Sequence, residues 1–357
     1  MTHRQNGPGR VSPVNRDGHA IGLDIGGTAV RAAVLTPRVV DGRPSVSLHG
    51  LGRVGLPRGA VVNGVIREPG LVTHALKALW QQNRIDCRNV IVGVTSQQVV
   101  VRKVDLPNLP AAERAQALPF QARDIIALPI ERAILDFIAV GPVDEGTNTV
   151  PGLLVAAPRE PVSVTVRAVE QAGLRVARVD LAAFAALRAI AADDLPVEAV
   201  VDLGAHLTNI VIHSQGVPLM VRTVARGGDE LTTALANRLG IDAEAAELAK
   251  RTVGLGEDDS ETSRAIRDTI RPLLSELRSS LSAFEQANPD SMIERVSLTG
   301  GGAAMPGLAE EVTRIGDIPV DVVDAMTHVG SHRAQHADDA ARTISAVAVG
   351  LAMGAAA

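Results

Sequence analysis

The sequence predicts an α/β protein of two related domains, each built on a sheet of hairpin and parallel strands, and three observations lead there. The chain has 357 residues, more than one ordinary domain holds. A short segment recurs: Ile21-Gly22-Leu23-Asp24-Ile25-Gly26-Gly27-Thr28 is echoed by Val200-Val201-Asp202-Leu203-Gly204-Ala205-His206-Leu207-Thr208. The two aspartates stand 178 positions apart (202 − 24), the size of one domain in a duplicated protein. Strand-like and helix-like segments also alternate over residues 153–192, the order of a parallel α/β sheet.

The elements follow in order. Residues 1–18 are rich in Gly, Pro, Asn and Arg without an apolar core, so they read as a loose tail and not as a signal peptide. The first echo runs on into the β-rich Ala29-Val30-Arg31-Ala32-Ala33-Val34-Leu35, giving strand, Asp-x-Gly turn, strand. Leu71, Val72, Ala75, Leu76, Leu79 and Trp80 share one helical face, and residues 89–94 and 99–104 read as strands. Pro107, Pro110, Pro119 and Pro129 then punctuate short elements. A strand at 153–157, a helix at 162–172 closed by Gly173, a strand at 176–179 and an Ala-rich helix at 181–192 complete the first half.

The second echo continues into Asn209-Ile210-Val211-Ile212, and Gly216 marks a hairpin whose return strand is 217–224. Helices are expected at 229–239 and 243–253, and the polar stretch 254–263, with Glu257-Asp258-Asp259, reads as a solvated loop. Ile266, Ile270, Leu273, Leu277, Leu281 and Phe284 recur at helical spacing, with Pro272 either kinking one helix or starting another. A strand at 296–298, the turn Gly300-Gly301-Gly302, a helix from Gly307 and a strand at 320–323 follow. The Ala-rich segment 343–357 is too short for a bilayer core of roughly 30 Å and reads as a helix packed under the first domain's sheet.

Composition narrows the function. A net charge of −5 argues against a broad basic field for nucleic acid, and 1% aromatic residues leave no base-stacking platform. The single cysteine, Cys87, excludes internal disulfides and multi-cysteine metal sites, and it fits a reducing compartment. His328, His332 and His336 are spaced by four, but Gly330 interrupts them and the stretch is polar, which favours a connection over a metal site.

The glycine turns carry the chemistry. In Asp24-Ile25-Gly26-Gly27-Thr28, bare backbone N–H groups can converge on an anion and Thr28 adds a hydroxyl donor. Asp24 cannot bind phosphate itself, but it can hold a hydrated magnesium ion that bridges phosphates. One such turn is a weak signal, and a second at Asp202, with Gly204 and Thr208, lets two loops grip a polyphosphate from both sides. The third cluster, Gly300-Gly301-Gly302, offers bare backbone to a flat base or ribose. No G-x-x-x-x-G-K-[ST] occurs, and no G-x-G-x-x-G opens a helix, so P-loop and dinucleotide folds lose their main support.

In this order the three turns resemble the phosphate 1, phosphate 2 and adenosine motifs of the actin, Hsp70 and sugar-kinase superfamily. Further stretches resemble the PilM family of type IV pilus assembly proteins, cytoplasmic relatives of the cell-division protein FtsA. These are residues 59–66, Val104-Asp105-Leu106-Pro107, Leu135-Asp136-Phe137, residues 225–232, Ala246-Glu247-Leu248-Ala249-Lys250 and residues 300–308. The resemblance implies a duplicated actin-like (ribonuclease H-like) ATPase fold. Its first domain would span 19–192 with a small insert at about 58–140. The second would span 193–340 with a helical subdomain at about 229–285, and 341–357 would return to the first domain.

The resemblance also implies a site. Asp24 and Asp202 would organise magnesium through water, and Gly26, Gly27, Thr28, Gly204 and Thr208 would line the phosphates of ATP. Arg31 falls where relatives often place a phosphate-facing lysine. Glu247 and Lys250 fit the pair that contacts ribose and base, and Gly300, Gly301 and Gly302 back the adenosine. Asp180 lies where relatives place a water-orienting acid, although a helix N-cap explains it as well. Ala205 and His206 replace the Gly-rich or acidic residues of active ATPases, which argues for slow turnover, with His206 filling structure.

The implied function is an ATP-binding scaffold for pilus assembly, cytoplasmic and peripheral to the inner membrane. The implied partner is the N-terminal peptide of a PilN-like membrane protein, with pilus motor ATPases and self-association as further contacts, and no nucleic acid or direct membrane insertion. Two alternatives compete. A ROK-type sugar kinase shares the opening motif but usually has a cysteine-rich zinc site. An FtsA-like division protein usually ends in a basic amphipathic helix, which residues 343–357 lack.

Overall fold

The computed structural model describes residues 12–14, 18–40, 43–192, 195–256, 260–329 and 343–355. Most of the expected tail, the acidic run at 257–259, and His332 and His336 lie outside the described residues.

The first sheet opens as a meander of β1 (Ala20–Ile25), β2 (Ala29–Val40) and β3 (Arg43–Gly55), each antiparallel to the next. The small hairpin β4 (Val61–Val62) and β5 (Val65–Ile66) and helix α1 (Pro69–Gln82) lead to β6 (Asn89–Val94), parallel to β1. Strand β7 (Val100–Pro107), helix α2 (Ala111–Ala122), β8 (Ala133–Ala139) and β9 (Thr149–Pro158) then form a separate unit with an antiparallel sheet in the order β7-β9-β8. Helix α3 (Arg159–Gln171) returns the chain to β10 (Arg175–Leu181), parallel to β6, and α4 (Ala182–Ile190) leaves the domain.

The second sheet repeats this plan. Strands β11 (Glu198–Leu203), β12 (Thr208–Ser214) and β13 (Val217–Val224) form the meander. Helices α5 (Gly228–Leu239), α6 (Ala243–Thr252) and α7 (Glu261–Ala287) intervene before β14 (Arg295–Thr299), parallel to β11. Helix α8 (Leu308–Gly316) connects to β15 (Val320–Val322), parallel to β14. The sheets thus run β10-β6-β1-β2-β3 and β15-β14-β11-β12-β13, the same order and the same directions.

The duplication holds at single-residue register. Asp24 pairs with Arg31 across the first hairpin and Asp202 with Asn209 across the second, each partner also 178 positions on (209 − 31). The Gly26 N–H donates to Ala29 O at 3.0 Å and the Gly204 N–H to Leu207 O at 3.0 Å, so the two turns close alike.

Two expectations change. Strand β6 joins the main sheet and α1 packs upon it, whereas β9, expected in the main α/β unit, pairs with β7 and β8. The separately paired sheet therefore spans residues 100–158 and not 58–140, because hydrophobic alternation identifies a strand without naming its partner. Helix α7 is one helix through Pro272, held by the buried stripe Ile266, Ile270, Leu274, Leu277, Leu281 and Phe284 and capped by Ser260 Oγ, which accepts from the Ser263 N–H. Beyond the proline Leu274, not Leu273, enters the stripe.

The final helix, α9 (Ala346–Met353), lies against β1, β2 and β6 and against α4. Its approach depends on glycine: a Cβ on Gly22 would sit 2.0 Å from Ala348 O, and one on Gly350 would sit 1.7 Å from Ala185 O. The small side chains of the segment are thus a packing requirement, since backbone must touch backbone.

At the start of β11 the sequence buries a charge. Glu198 is fully buried, with the His213 Nε2 at 3.0 Å, and it accepts from the Arg295 Nη2 at 3.0 Å, the Ala192 N–H at 2.9 Å and the Ser297 hydroxyl. Burial alone would raise its pKa, but His213, Ser297, the Ala192 N–H and Arg295 together hold it down to about 2. A depressed carboxylate pKa contributes stability that is complete above the unfolded value of 4.5 and is lost as pH falls through about 2. Glu198→Gln should therefore cost about 3 kcal/mol of unfolding free energy at pH 7. Urea denaturation of both proteins from pH 7 to pH 2 should show that difference shrinking below pH 4.5. A difference independent of pH would contradict the assigned ionisation.

Candidate functional site

A cleft of about 980 Å³ opens where β1 and β11 end in their turns. The turn after β1 supplies Gly26, Gly27 and Thr28, the turn after β11 supplies Gly204, Ala205 and His206, and the segment after β14 supplies Gly300, Gly301 and Gly302. Asp24, Arg31, Asp202, Glu247 and Lys250 also line it. Thr208 faces inward instead, donating from its hydroxyl to Arg226 O at 2.9 Å.

Local sequence explains each turn. Gly26 is bare because the Arg31 guanidinium covers it, and a Cβ there would lie 2.8 Å from Arg31 Nη1. Gly27 is bare because His206 of the other turn rests on it, with Nδ1 2.3 Å from where a Cβ would be. Gly300 adopts φ +86°, and its Cβ would fall 2.5 Å from Asp202 Oδ1 and 2.7 Å from Leu203 O. Among the described residues Gly301 faces open space, with Ile344 at 3.8 Å.

The cleft sets two buried carboxylates beside crowded cationic nitrogens. Burial raises the pKa of Asp24 against the attraction of Arg31, whose Nη1 donates to its Oδ2 at 3.0 Å. Asp202 is pushed up to about 6 by burial and by the charge of Asp24, against a hydrogen bond from Asn209 Nδ2 at 3.3 Å. On the other side, Arg53 lines the cleft with its pKa lowered by burial and by Arg31 and Arg251. Arg31 Nε and His206 Nδ1 are buried without a hydrogen-bond partner. Two desolvated carboxylates suit a hard cation that keeps its waters. The orphaned nitrogens and crowded guanidinium groups suit phosphate oxygens.

Other expected residues sit differently. Asp180 lies outside the cleft at the end of β10, where it accepts from the Leu181 N–H at 2.8 Å and pairs with Arg188 Nη2 at 3.1 Å. Lys250 is buried, and its Nζ is committed to Gly228 O at 2.9 Å, Thr232 Oγ1 at 2.8 Å and Glu247 Oε2 at 2.5 Å. All three of its donors are used, so it clips α6 to α5 while its pKa is lowered by burial. Glu247 accepts at both oxygens, from Thr232 and Lys250 at one and from Arg251 at the other. His328 is exposed, and among the described residues no three His, Cys, Asp or Glu side chains form a metal cage.

The structure adds residues that pattern reading passed over. Asn209 accepts at Oδ1 from Thr95 Oγ1 at 3.2 Å, joining the two sides of the cleft, and its signal was its place seven residues after Asp202, as Arg31 follows Asp24. Arg53 is the neighbour of Arg31 on β3. Arg58 and Asp229 both line the cleft and face each other across it.

The glycine geometry makes a contrast. Gly300→Ala combines a positive φ with contacts under 3 Å to backbone, so it should cost about 2 kcal/mol or more of stability. Gly301→Ala enters open space and should stay within about 0.5 kcal/mol. Equal losses in chemical denaturation would contradict this arrangement of the third turn.

Comparison with known proteins agrees with this architecture. The chain is similar to the protein in a solved PilM-PilN type IV pilus biogenesis complex, with 30% identity and a TM-score of 0.81 over 95% of this chain and 98% of that one. The ethanolamine utilization protein EutJ from Carboxydothermus hydrogenoformans matches in fold, with 16% identity and a TM-score of 0.54 over 96% of this chain and 92% of that one. Cell division protein FtsA of Bacillus subtilis (strain 168) is 26% identical over 82% of this chain and 76% of its own length. The fold is the actin-like ATPase fold, duplicated around one cleft. Residues 22–356 match the family described as type IV pilus assembly protein PilM, and the chain belongs to that family.

Proposed function

We propose that this chain is an ATP-binding scaffold of type IV pilus assembly, held at the inner face of the cytoplasmic membrane by the N-terminal peptide of a PilN-like membrane protein. The observation that carries the nucleotide reading is the repeated turn. Two hairpins of identical register bring Asp24 and Asp202 into one cleft, beside nitrogens that lack partners. Gly26, Gly27, Thr28 and Gly204 then line the phosphates, and Gly301 offers the open face for adenosine.

Magnesium, when bound, neutralises phosphate charge. Asp24 and Asp202 would hold it through its waters. Arg31 shares Asp24 and keeps Nε free for a phosphate oxygen. With Lys250 fully engaged, the ribose edge falls to Glu247 and the exposed Arg251, both in the cleft wall. Ala205 offers no acid to the phosphate end, Asp229 there is paired with Arg58 and lies beside His206, and Asp180 is committed to Arg188 away from it. Binding with slow hydrolysis follows from that set.

Recruitment is the second half of the proposal. Among the described residues no helix is long and apolar enough to cross a membrane. The insert offers an alternative: its edge strand β8 exposes Ile134 and Ile138, and Phe120 on α2 is 72% exposed. An extended apolar peptide can add to such an edge and seat side chains beside it. The similar chain solved as a PilM-PilN complex supports a PilN-like partner. Contact with pilus motor ATPases and pairing of two copies extend the same proposal. The family match favours neither a ROK-type sugar kinase nor an FtsA-like division role.

Calorimetry tests the reading. ATP should bind only with magnesium, and Asp24→Ala and Asp202→Ala should each weaken it at least tenfold. A synthetic PilN-like N-terminal peptide should bind the same protein at tens of micromolar or tighter, and Phe120→Ser with Ile138→Ser should abolish it. Unchanged ATP affinity in both aspartate variants would overturn the site, and an unbound cognate peptide would overturn the recruitment.

A further inference from the structure

Two motifs flank the cleft without a task in nucleotide contact: residues 59–66, with Arg58 immediately before them, and the run from Ala225 to Thr232 that opens α5. The structure joins them. Arg58 Nη2 lies 2.6 Å from Asp229 Oδ1, and His206 Nε2 lies 3.6 Å from Asp229 Oδ2. Arg58 belongs to the first domain and Asp229 to the second, so this is an ion pair across the cleft.

Each partner is wired to its own phosphate turn. The Leu56 N–H donates to Thr28 O at 2.8 Å, and the Ala60 N–H to Pro57 O at 3.2 Å, so the bend carrying Arg58 moves with the first turn. The Asp229 N–H donates to Ala205 O at 2.8 Å and the Gly228 N–H to Gly204 O at 3.0 Å, so the start of α5 moves with the second. His206 then reaches from the second turn onto Gly27 of the first. Two side-chain contacts thus link the phosphate turns across the cleft, one ionic and one steric, in addition to the hydrogen bond from Thr95 to Asn209.

The pair is poorly placed to stabilise the fold. Arg58 is 52% exposed, and exposed ion pairs contribute little beyond about a kcal/mol. A contact of that strength between two bodies is suited to opening and closing. We propose that Arg58 and Asp229 form a gate over the phosphate end of the cleft that retains a bound nucleoside triphosphate. The proposal rests on the nucleotide reading given above. Arg58 and Asp229 are positioning residues: they hold the turns together around the ligand, and His206 transmits the closure to Gly27.

Stopped-flow displacement of a fluorescent ATP analogue with magnesium reads the gate directly. Arg58→Gln and Asp229→Asn should each speed dissociation about fivefold, the worth of one exposed pair. The exchanged pair Arg58→Asp with Asp229→Arg should return the rate toward that of the unaltered protein. Wild-type dissociation in both single variants would overturn the gate. Spin labels on exposed positions of the two domains give a readout that needs no ligand. In the nucleotide-free protein, Arg58→Gln should lengthen and broaden the distance distribution, and the exchanged pair should restore it. If the analogue fails to bind the unaltered protein, the nucleotide reading falls while this distance still decides the contact, and an unchanged distribution would overturn it.

Discussion

Two carboxylates buried in one cleft are the constraint on which the rest of the arrangement turns. Asp24 and Asp202 lie on central strands of their sheets, where burial disfavours their charge and where Asp202 feels Asp24 as well. A protein that keeps such a pair needs positive charge nearby, and this one supplies part of it: Arg31 bonds Asp24, while Asn209 gives Asp202 only a neutral donor. The asymmetry leaves the second carboxylate short of compensation, which the hydrated cation we propose would provide. On the proposed reading, the turns, glycines and arginines around the pair hold that cation with its anion.

The scaffold makes this convergence possible by repetition. A central strand, a four-residue turn and a returning strand form a unit that projects one aspartate and one polar partner, and the fold uses it twice with the same register. Helix α9 locks the first copy by threading between its sheet and α4 at contacts only glycine permits. The Glu198 network anchors the second copy at the opposite end of β11, tying it to the connection that leaves α4 through the Ala192 N–H. The cleft therefore sits between two sheets that share a buried apolar cluster, with Leu35 and Leu187 packed in it beside Val200 and Val211.

Much of this was legible in the sequence because tight turns are written locally. An Asp-x-Gly turn needs glycine where side chains or backbone approach, so Gly26, Gly204 and Gly300 announced themselves, and the interval of 178 residues announced the duplication. The stripe on α1 was equally readable from Val72, Ala75, Leu76, Leu79 and Trp80, although Leu71 stays exposed. What stayed hidden was pairing over distance. Nothing local says that β9 joins β7 and β8 and not the main sheet, or that Lys250 spends two of its donors on α5 and the third on Glu247. Nor did spacing alone separate Asp180 as a partner of Arg188 from Asp180 as a catalytic acid. The Glu198 cluster left a trace, a glutamate inside the apolar run Val197-Glu198-Ala199-Val200-Val201, but its partners lie on two other strands.

A crystal structure of the protein with magnesium and a slowly hydrolysed ATP analogue tests the central claim most directly. The account predicts the triphosphate between the turns at Gly26 to Thr28 and Gly204 to His206, with a hydrated ion beside Asp24 and Asp202 and the base over Gly301. Nucleotide density elsewhere on the molecule, or in the cleft with both aspartates remote from the ion, would contradict it.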